Sequence, residues 1–139
     1  MKWKIGNVKI NNQIVLAPMA RYGDSTFRRI VKSMGCGLIE TEMVHDKSLA
    51  NGSHRSRYVL YMTDYERPLS QQILVSDVES VKKATRIICD EVKPDIIDLN
   101  MGCSVAKVAI RSQNGSALLK DPQKVRELVE AAVESSSVP

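Results

Sequence analysis

Residues 95–103 read Asp-Ile-Ile-Asp-Leu-Asn-Met-Gly-Cys, a short apolar run that ends in an amide, a glycine and a thiol. The segment Asp95 to Asn100 predicts a buried strand, because short apolar runs bounded by turn residues are typical of parallel sheets. Cys103 then lies in the loop after that strand, partly exposed and able to reach a ligand. The motif therefore predicts chemistry at the carboxyl end of a parallel strand.

Short strands alternate with amphipathic helices on either side of this motif. Further strands are predicted at Ile14 to Ala17, Gly37 to Glu40 and Leu69 to Leu74, after a hairpin at Trp3 to Ile10 that turns at Gly6 and Asn7. Helices are predicted after caps at Asp24, Asp77 and Asp121. The segment Thr41 to Pro68, rich in Lys, Arg, His, Asn and Ser, is expected to be a long surface excursion.

The helical spacing of apolar residues predicts one inward face for each helix. These faces comprise Phe27, Ile30, Val31 and Met34; then Val78, Val81, Ala84, Thr85 and Ile88; and then Val125, Leu128, Val129, Ala132 and Val133. Strands separated by such helices require parallel pairing, so the fold class is α/β.

Two parallel architectures compete for this pattern. A doubly wound sheet would be complete at this length, whereas a TIM (β/α)8 barrel needs about 250 residues and this chain would hold about four of its eight units. Length favours the sheet. The barrel is favoured by the polar or small residues at the carboxyl ends of the strands, which are Pro18-Met19-Ala20, Glu40-Thr41-Glu42, Gln71-Gln72 and Asn100 to Cys103.

Composition predicts one globular domain over residues 1–139. Hydrophobic side chains make up 43% of the 139 residues, and 20 Lys and Arg against 16 Asp and Glu leave a net charge of +4. No apolar window approaches a membrane span and no secretory signal is present, so we expect a cytoplasmic protein without membrane association. The weak positive charge permits a polyanionic partner but does not identify one.

The remaining reactive side chains give weaker signals. Cys36 and Cys89 are expected to be packing residues, and the spacing of the cysteines predicts neither a disulfide framework nor a zinc site. His45 and His54 are expected to be solvated loop residues, and no metal site is predicted. At Asn114-Gly115-Ser116 a plain turn is favoured over a turn into a helix.

Basic residues gather in two groups that could contact phosphates. The first group, which a solvated helix face explains equally well, is Arg21, Arg28, Arg29 and Lys32. The second group lies near tyrosines that can stack on bases, and comprises Arg55, Arg57 and Arg67 with Tyr58, Tyr61 and Tyr65.

Taken together, the motifs resemble the flavin-dependent tRNA-dihydrouridine synthase family. The matching segments are Leu16-Ala17-Pro18-Met19-Ala20, Asp24, Phe27-Arg28, Thr41-Glu42-Met43-Val44, Glu66-Arg67-Pro68, Gln72, Asp95 to Cys103, Lys107-Val108 and Gly115 to Leu119. The resemblance implies the N-terminal half of a TIM barrel with parallel strands, and implies that the C-terminal half-barrel and the helical tRNA-binding domain are absent from residues 1–139.

The resemblance also implies a role for each matching site residue. Pro18, Met19 and Ala20 would lie against FMN, and Gln72 would bind the polar edge of the flavin. Asn100 would hold the target uracil, and Cys103 would be the general acid that protonates C5 while hydride from reduced flavin reaches C6. NADPH would be the reductant and tRNA the substrate.

Two other interpretations stay open beside this one. The chain could be a catalytically inactive half-barrel that binds RNA or protein, or a different flavin barrel that reduces a free pyrimidine or an enone. A half-barrel has two unpaired edges, so a homodimer or a complementary half-barrel chain is also expected.

Overall fold

The computed structural model describes residues 2–139, which form a parallel sheet with helices on one side and a small hairpin at one end. The hairpin strands are β1 (Trp3–Ile5) and β2 (Val8–Ile10), paired antiparallel across the predicted turn. The sheet strands are β3 (Val15–Leu16), β4 (Leu38–Glu40), β5 (Val44–His45), β6 (Leu69–Leu74) and β7 (Ile96–Asn100).

The order of the strands distinguishes a doubly wound sheet from part of a (β/α)8 barrel, the two architectures that the sequence left open. β3 pairs with β4, β4 pairs with the start of β6, and β7 pairs with the other side of β6. β5 pairs with the end of β6, so β4 and β5 occupy successive positions along one edge of the same strand. The spatial order therefore follows the chain order without the reversal of a doubly wound sheet. The prediction of an N-terminal half of a (β/α)8 barrel is confirmed.

The helices begin where the sequence predicts caps. They are α1 (Ser25–Ser33), α2 (Asp46–Ala50), α3 (His54–Val59), α4 (Val78–Ile87) and α5 (Pro122–Ser135). Asp24, Asp77 and Asp121 each accept a hydrogen bond from a backbone amide of the first turn of the helix they precede. In the described part of the chain, no helix has the length and apolar character needed to cross a membrane.

Each face of the sheet has its own apolar core. On the outer face, Ile73 packs with Val81, Ala84 and Ile88 at the α4 side and with Leu128 of α5. On the inner face, which corresponds to the barrel lumen, the hairpin closes the bottom of the sheet. There Ile10 packs with Leu38 and Ile96, and Trp3, Ile5 and Val8 surround this cluster.

Two predicted helix faces are partly wrong. Ile30 and Met34 of α1 are 53% and 81% exposed, and Val129 and Val133 of α5 are 39% and 70% exposed. α1 instead buries Arg28, which is 1% exposed. Helical spacing identifies an apolar stripe, but it does not show which neighbour is present to cover that stripe. The predicted face of α4 is confirmed, since Val81, Ala84, Thr85 and Ile88 are all buried.

The segment from Thr41 to Pro68 is folded rather than a loose surface excursion. It contains β5, α2, α3 and a 3-10 turn at Asp64–Glu66, and it buries Leu49 and Leu60. A buried ion pair joins it to α1, because Arg28 Nε lies 2.6 Å from Glu66 Oε2. Arg28 also donates to the carbonyls of Gly23 and Tyr61, so the guanidinium is satisfied on three sides.

We predict that the Glu66→Gln substitution lowers the free energy of unfolding by about 3–5 kcal/mol, because it leaves the buried Arg28 charge without its counter-ion. Urea denaturation of the 139-residue chain measures this. The control is Glu130→Gln, which removes an ion pair to the exposed Arg126 and leaves the unfolding midpoint unchanged. Equal effects of the two substitutions would contradict a structural role for the buried pair.

Candidate active site at the carboxyl ends of the strands

Polar side chains of β6 and β7 share the lumen face near the ends of these strands. Ser70 and Gln72 alternate along β6, and Asp98 and Asn100 alternate along β7. Because residues two apart point to the same face of a strand, all four side chains lie on one side of the sheet. The register places Gln72 opposite Asp98. Two of the predicted site residues, Gln72 and Asn100, are thereby brought together.

A directed chain of hydrogen bonds runs through these side chains, and we call Asp98, Gln72 and Asn100 the amide relay. Gln72 Nε2 donates to Asp98 Oδ2 at 2.7 Å, and Asn100 Nδ2 donates to Gln72 Oε1 at 2.8 Å. Asn100 Oδ1 accepts from the backbone amides of Cys103 at 3.0 Å and Gly102 at 3.3 Å. A carboxylate only accepts hydrogen bonds, so Asp98 sets the orientation of both amides and the relay ends on the loop that carries Cys103.

The loop after β4 supports the relay from the other side of β6. Thr41 Oγ1 accepts from the backbone amide of Gln72 at 3.1 Å, and Met43 Sδ lies 3.8 Å from Asn100 Nδ2. The sequence analysis assigned no role to Thr41, Met43 or Asp98. The signal that could have found Asp98 is the two-residue alternation of Ile96, Asp98 and Asn100, which places Asp98 on the same face as Asn100.

Cys103 is half-buried and is held by the turn at Asn114-Gly115-Ser116. Ser116 donates its backbone amide to the Cys103 carbonyl at 3.0 Å. Gly115 has φ +58, and a Cβ at this position would lie 2.5 Å from the Cys103 carbonyl oxygen. The expectation of a plain turn is wrong, because Gly115 opens a 3-10 helix at Gly115–Lys120 and its missing side chain lets that helix approach the Cys103 loop.

Pro18, Met19 and Ala20 form a separate loop after β3. Pro18 and Ala20 are exposed and Met19 is half-buried. The loop is closed by the Met19 carbonyl, which accepts from the amides of Tyr22 at 3.1 Å and Gly23 at 2.8 Å. Among residues 2–139 no hydrogen bond joins Pro18, Met19 or Ala20 to the relay. The two parts share the carboxyl end of the sheet, where barrel sites are built.

The free hydrogen-bonding groups of the site fit the edge of a planar heterocycle. Gln72 uses one of its two N–H groups on Asp98 and one lone pair of Oε1 on Asn100, so a donor and an acceptor stay available. Pro18 and Ala20 leave backbone accessible because their side chains are small or fixed. The residues present therefore fit the ring portion of a flavin and a pyrimidine base.

Glu40 stands beside the relay on the lumen face. Burial is the largest cause that raises the pKa of Glu40, and the negative charge of Asp98 raises it further, to about 8. The Ser70 hydroxyl opposes this shift in part. Glu40 is therefore protonated at neutral pH, unlike an ordinary exposed carboxyl group.

Among residues 2–139, the histidines and the other two cysteines form no hydrogen bond with the amide relay. His45 is not a loop residue, because it ends β5, and its Nδ1 lies 2.9 Å from Oδ1 of the fully buried Asp46. His54 is exposed at the start of α3. Cys36 is buried and Cys89 is half-buried. In the described residues no group of three or more His, Cys, Asp or Glu side chains is arranged to hold a metal ion.

Two arginines of the second basic group form ion pairs with carboxylates of this chain. Arg57 forms an ion pair with Glu91, and Arg67 forms ion pairs with Asp64 and Asp95. The tyrosines stay accessible, since Tyr58, Tyr61 and Tyr65 are 81%, 63% and 56% exposed. Stacking surface is thus present beside a reduced positive charge.

Comparison with known proteins gives a consistent result. The model of the dihydrouridine synthase (Dus) family matches residues 15–139. The tRNA-dihydrouridine synthase B of Pseudomonas syringae pv. tomato is 39% identical over 137 residues, which cover 98% of this chain and 40% of that protein. A probable tRNA-dihydrouridine synthase of Aquifex aeolicus is 37% identical over 124 residues, which cover 88% of this chain and 38% of that protein. The chain thus spans about 40% of the length of these relatives.

The fold is also found in solved structures of low sequence identity. A variant of NCR from Zymomonas mobilis aligns with a TM-score of 0.62 and 12% identity, over 96% of this chain and 54% of that chain. At this identity the likeness shows a shared fold alone.

We predict that the Gly115→Ala substitution displaces the Cys103 loop, because the new methyl group would meet the Cys103 carbonyl. The matched control is Gly52→Ala, which also has positive φ, at +78, but has no atom within 4 Å of the new Cβ. Gly52→Ala is expected to cost about 1–2 kcal/mol of unfolding free energy, and Gly115→Ala more. Reaction of Cys103 with a thiol reagent, in a Cys89→Ser background, should change for Gly115→Ala only. An unchanged Cys103 reaction rate in Gly115→Ala would contradict this contact.

Proposed function

Because the chain belongs to the dihydrouridine synthase (Dus) family, we propose that it supplies the N-terminal half of the catalytic barrel of a tRNA-dihydrouridine synthase. The proposed reaction reduces specific uridines in tRNA to 5,6-dihydrouridine. The observation that carries the proposal is the amide relay, which runs from Asp98 through Gln72 and Asn100 to the backbone of Cys103. It places hydrogen-bonding groups for a pyrimidine edge beside a half-buried thiol.

FMN is the proposed cofactor and NADPH its proposed reductant. When FMN is bound and reduced, it supplies the hydride that adds to C6 of the uracil. Pro18, Met19 and Ala20 would lie against the ring system, and Gln72 would bind its polar edge. The Gln72 amide suits this role because Asp98 already fixes which end of the amide donates and which accepts.

Asn100 and Cys103 are the residues proposed to act on the base. Asn100 would hold the uracil through its Nδ2 group, whose second N–H makes only a 3.8 Å contact with Met43 Sδ and could instead donate to a ring carbonyl. Cys103 would donate its thiol proton to C5 as hydride reaches C6, so that one hydride and one proton saturate the C5–C6 double bond. The backbone amide of Cys103 donates a hydrogen bond to Asn100, so the position of the proposed proton donor depends on the residue that would hold the uracil.

A tRNA uridine must leave its base stack to reach this site. Extrusion of a nucleotide into a pocket is the usual solution for enzymes that modify bases. The exposed rings of Tyr58 and Tyr61 offer stacking surface for neighbouring bases. We place this reaction in the cytoplasm, because the matched relatives are named as tRNA-modifying enzymes.

Exposed apolar residues occur at both ends of the half-barrel. Val15 of β3 and Met34 of α1 are exposed at the β3 edge, and Val133 of α5 is exposed at the β7 edge. At the β7 edge, Val133 lines an apolar groove together with Ile97 and Leu99 of β7 and Val129 and Ala132 of α5. A contiguous apolar lining of this kind supports an interaction site. The proposal therefore includes a covering partner, which is either a second copy of this chain or a complementary half-barrel chain.

We predict that the Cys103→Ala substitution lowers dihydrouridine formation at least about 100-fold while affinity for FMN and tRNA stays unchanged, because only proton donation is lost. The measurement is dihydrouridine formed in an unmodified tRNA transcript with FMN and NADPH. The matched control is Cys89→Ala, which is expected to retain activity because Cys89 lies outside the site.

The visible absorption spectrum and the size-exclusion profile of the purified chain complete this test. A flavin spectrum on a monodisperse species supports the proposal. Binding of tRNA without flavin or turnover would instead favour the inactive binding module. Flavin-dependent reduction of a free pyrimidine or an enone, without tRNA, would favour the other flavin barrel.

A further inference from the structure

His45 and Asp46 form a polar pair that the proposed reaction does not use. The Asp46 carboxylate is fully buried and accepts hydrogen bonds from the backbone amides of Lys47 and Ser76, each at 2.6 Å, and from the Ser76 hydroxyl at 2.7 Å. Its Oδ1 atom lies 2.9 Å from Nδ1 of His45. Because three donors hold this carboxylate, it presents a negative charge at a fixed place beside the imidazole.

The two ring nitrogens of His45 have different surroundings. Nδ1 is buried and, apart from the contact with Asp46, has no hydrogen-bond partner. The side chain is 34% exposed, and among residues 2–139 its Nε2 atom is neither buried nor hydrogen-bonded. A neutral imidazole carries a proton on one nitrogen and a lone pair on the other. A lone pair on Nδ1 would face a negative oxygen, so the proton belongs on Nδ1 and the lone pair on Nε2.

The backbone places His45 on the same face of the sheet as the amide relay. Val44, the residue before it, packs in the core on the outer face of the sheet, and successive residues of a strand point to opposite faces. Met43, two residues before His45, agrees with this assignment, because its Sδ lies 3.8 Å from Asn100 Nδ2. His45 therefore faces the lumen, although it has no hydrogen bond to the relay.

His45 also stands level with Asn100 along the strands. The register pairs His45 with Leu74 of β6, and it pairs Leu74 with Asn100 of β7. Neighbouring strands are about 4.8 Å apart, so the backbones of His45 and Asn100 are about 10 Å apart, with the buried Leu74 between them. A planar ring held at this level of the lumen would meet both side chains.

Asn100 supplies a hydrogen-bond donor at this level but no acceptor. Its Oδ1 accepts from the backbone amides of Gly102 and Cys103, which use both lone pairs, whereas Nδ2 has an N–H that makes only the long contact with Met43. The free edge of uracil carries two carbonyl groups with an N–H group between them. Recognition of this edge therefore needs an acceptor as well as a donor, and the Nε2 lone pair of His45 is a free acceptor.

We propose that His45 is a further substrate-binding residue, whose Nε2 lone pair accepts the N3–H of uracil while Asn100 donates to a neighbouring carbonyl. The inference rests on the proposed function, because it takes uracil as the ligand. His45 then favours uracil over cytosine, since N3 of cytosine carries a lone pair that would face the lone pair of Nε2. A site that is built to hydrogen-bond one group rejects an analogue that leaves this group unpaired.

Nuclear magnetic resonance on the 139-residue chain with nitrogen-15-labelled histidine tests whether Nε2 can accept, with no FMN or tRNA present. At mildly alkaline pH, where an ordinary imidazole is neutral, His45 should carry its proton on Nδ1. The internal control is His54, which is exposed at the start of α3 and should show the average of both neutral forms. A proton on Nε2 of His45 would overturn the proposal, whether or not the proposed function is correct.

Titration of the same chain with uridine, N3-methyluridine and cytidine tests whether the base reaches His45. Uridine should shift the Nε2 signal of His45 together with the side-chain amide signals of Asn100. It should bind at least about tenfold more tightly than N3-methyluridine or cytidine, because both lack the N3–H group. In His45→Ala this preference should disappear, and in the control His54→Ala it should remain as in the parent chain.

The titration separates failure of this inference from failure of the proposed function. If uridine shifts the Asn100 signals and leaves Nε2 of His45 unchanged, the base binds without His45, and the inference fails while the proposed function stands. If uridine shifts neither residue, the uracil site itself is refuted, and both fail. The parent chain alone gives these readouts, so the test holds even if His45→Ala does not fold.

Discussion

The hydrogen bonds of the Gln72 side chain are the interactions on which the arrangement of the site depends. β6 is buried on both faces, and Gln72 is 6% exposed. A buried amide without partners would be costly, so its bonds to Asp98 and Asn100 help to fix the pairing of β6 with β7. A slip of one residue would turn Gln72 under the helices and Ile73 into the lumen. The same contacts therefore specify the register of the sheet and the orientation of the amides at its end.

The buried Arg28–Glu66 pair extends this order to the segment between β4 and β6. That segment begins at Thr41, whose hydroxyl accepts from the Gln72 backbone, and ends close to Glu66. Glu66 also accepts hydrogen bonds from Ser25 and Thr63, so α1 and the end of the segment meet at one carboxylate. A long connection that is held at both ends can place Met43 beside Asn100, whereas a loose surface excursion could not.

Local features could be predicted from the sequence, and features that depend on distant partners could not. The caps at Asp24, Asp77 and Asp121 and the hairpin turn depend on neighbouring residues, and the structure has them as predicted. The convergence of Gln72, Asn100 and the Cys103 loop could be predicted, because the carboxyl ends of parallel strands meet at one edge of the sheet.

The features that escaped prediction each involve a second segment of the chain. Arg28 and Glu66 are 38 residues apart, and nothing local distinguishes Arg28 from a solvated helix residue. β5 spans only Val44–His45, too short for a periodic signal. Gly115 has its function only because the Cys103 carbonyl lies against it. Chain length favoured a doubly wound sheet, and it was the pairing of β6 with both β4 and β7 that decided for the barrel.

The lumen changes from apolar beneath the hairpin to polar at the carboxyl ends of the strands. At the hairpin, Ile10, Leu38 and Ile96 form a buried apolar cluster. Two residues further along β4 than Leu38, burial and then the negative charge of Asp98 raise the pKa of Glu40 to about 8. On β7, Asp98 lies opposite Gln72 and accepts a hydrogen bond from its amide. Because side chains two residues apart share a face, the register that buries the apolar cluster also directs these polar side chains into the lumen.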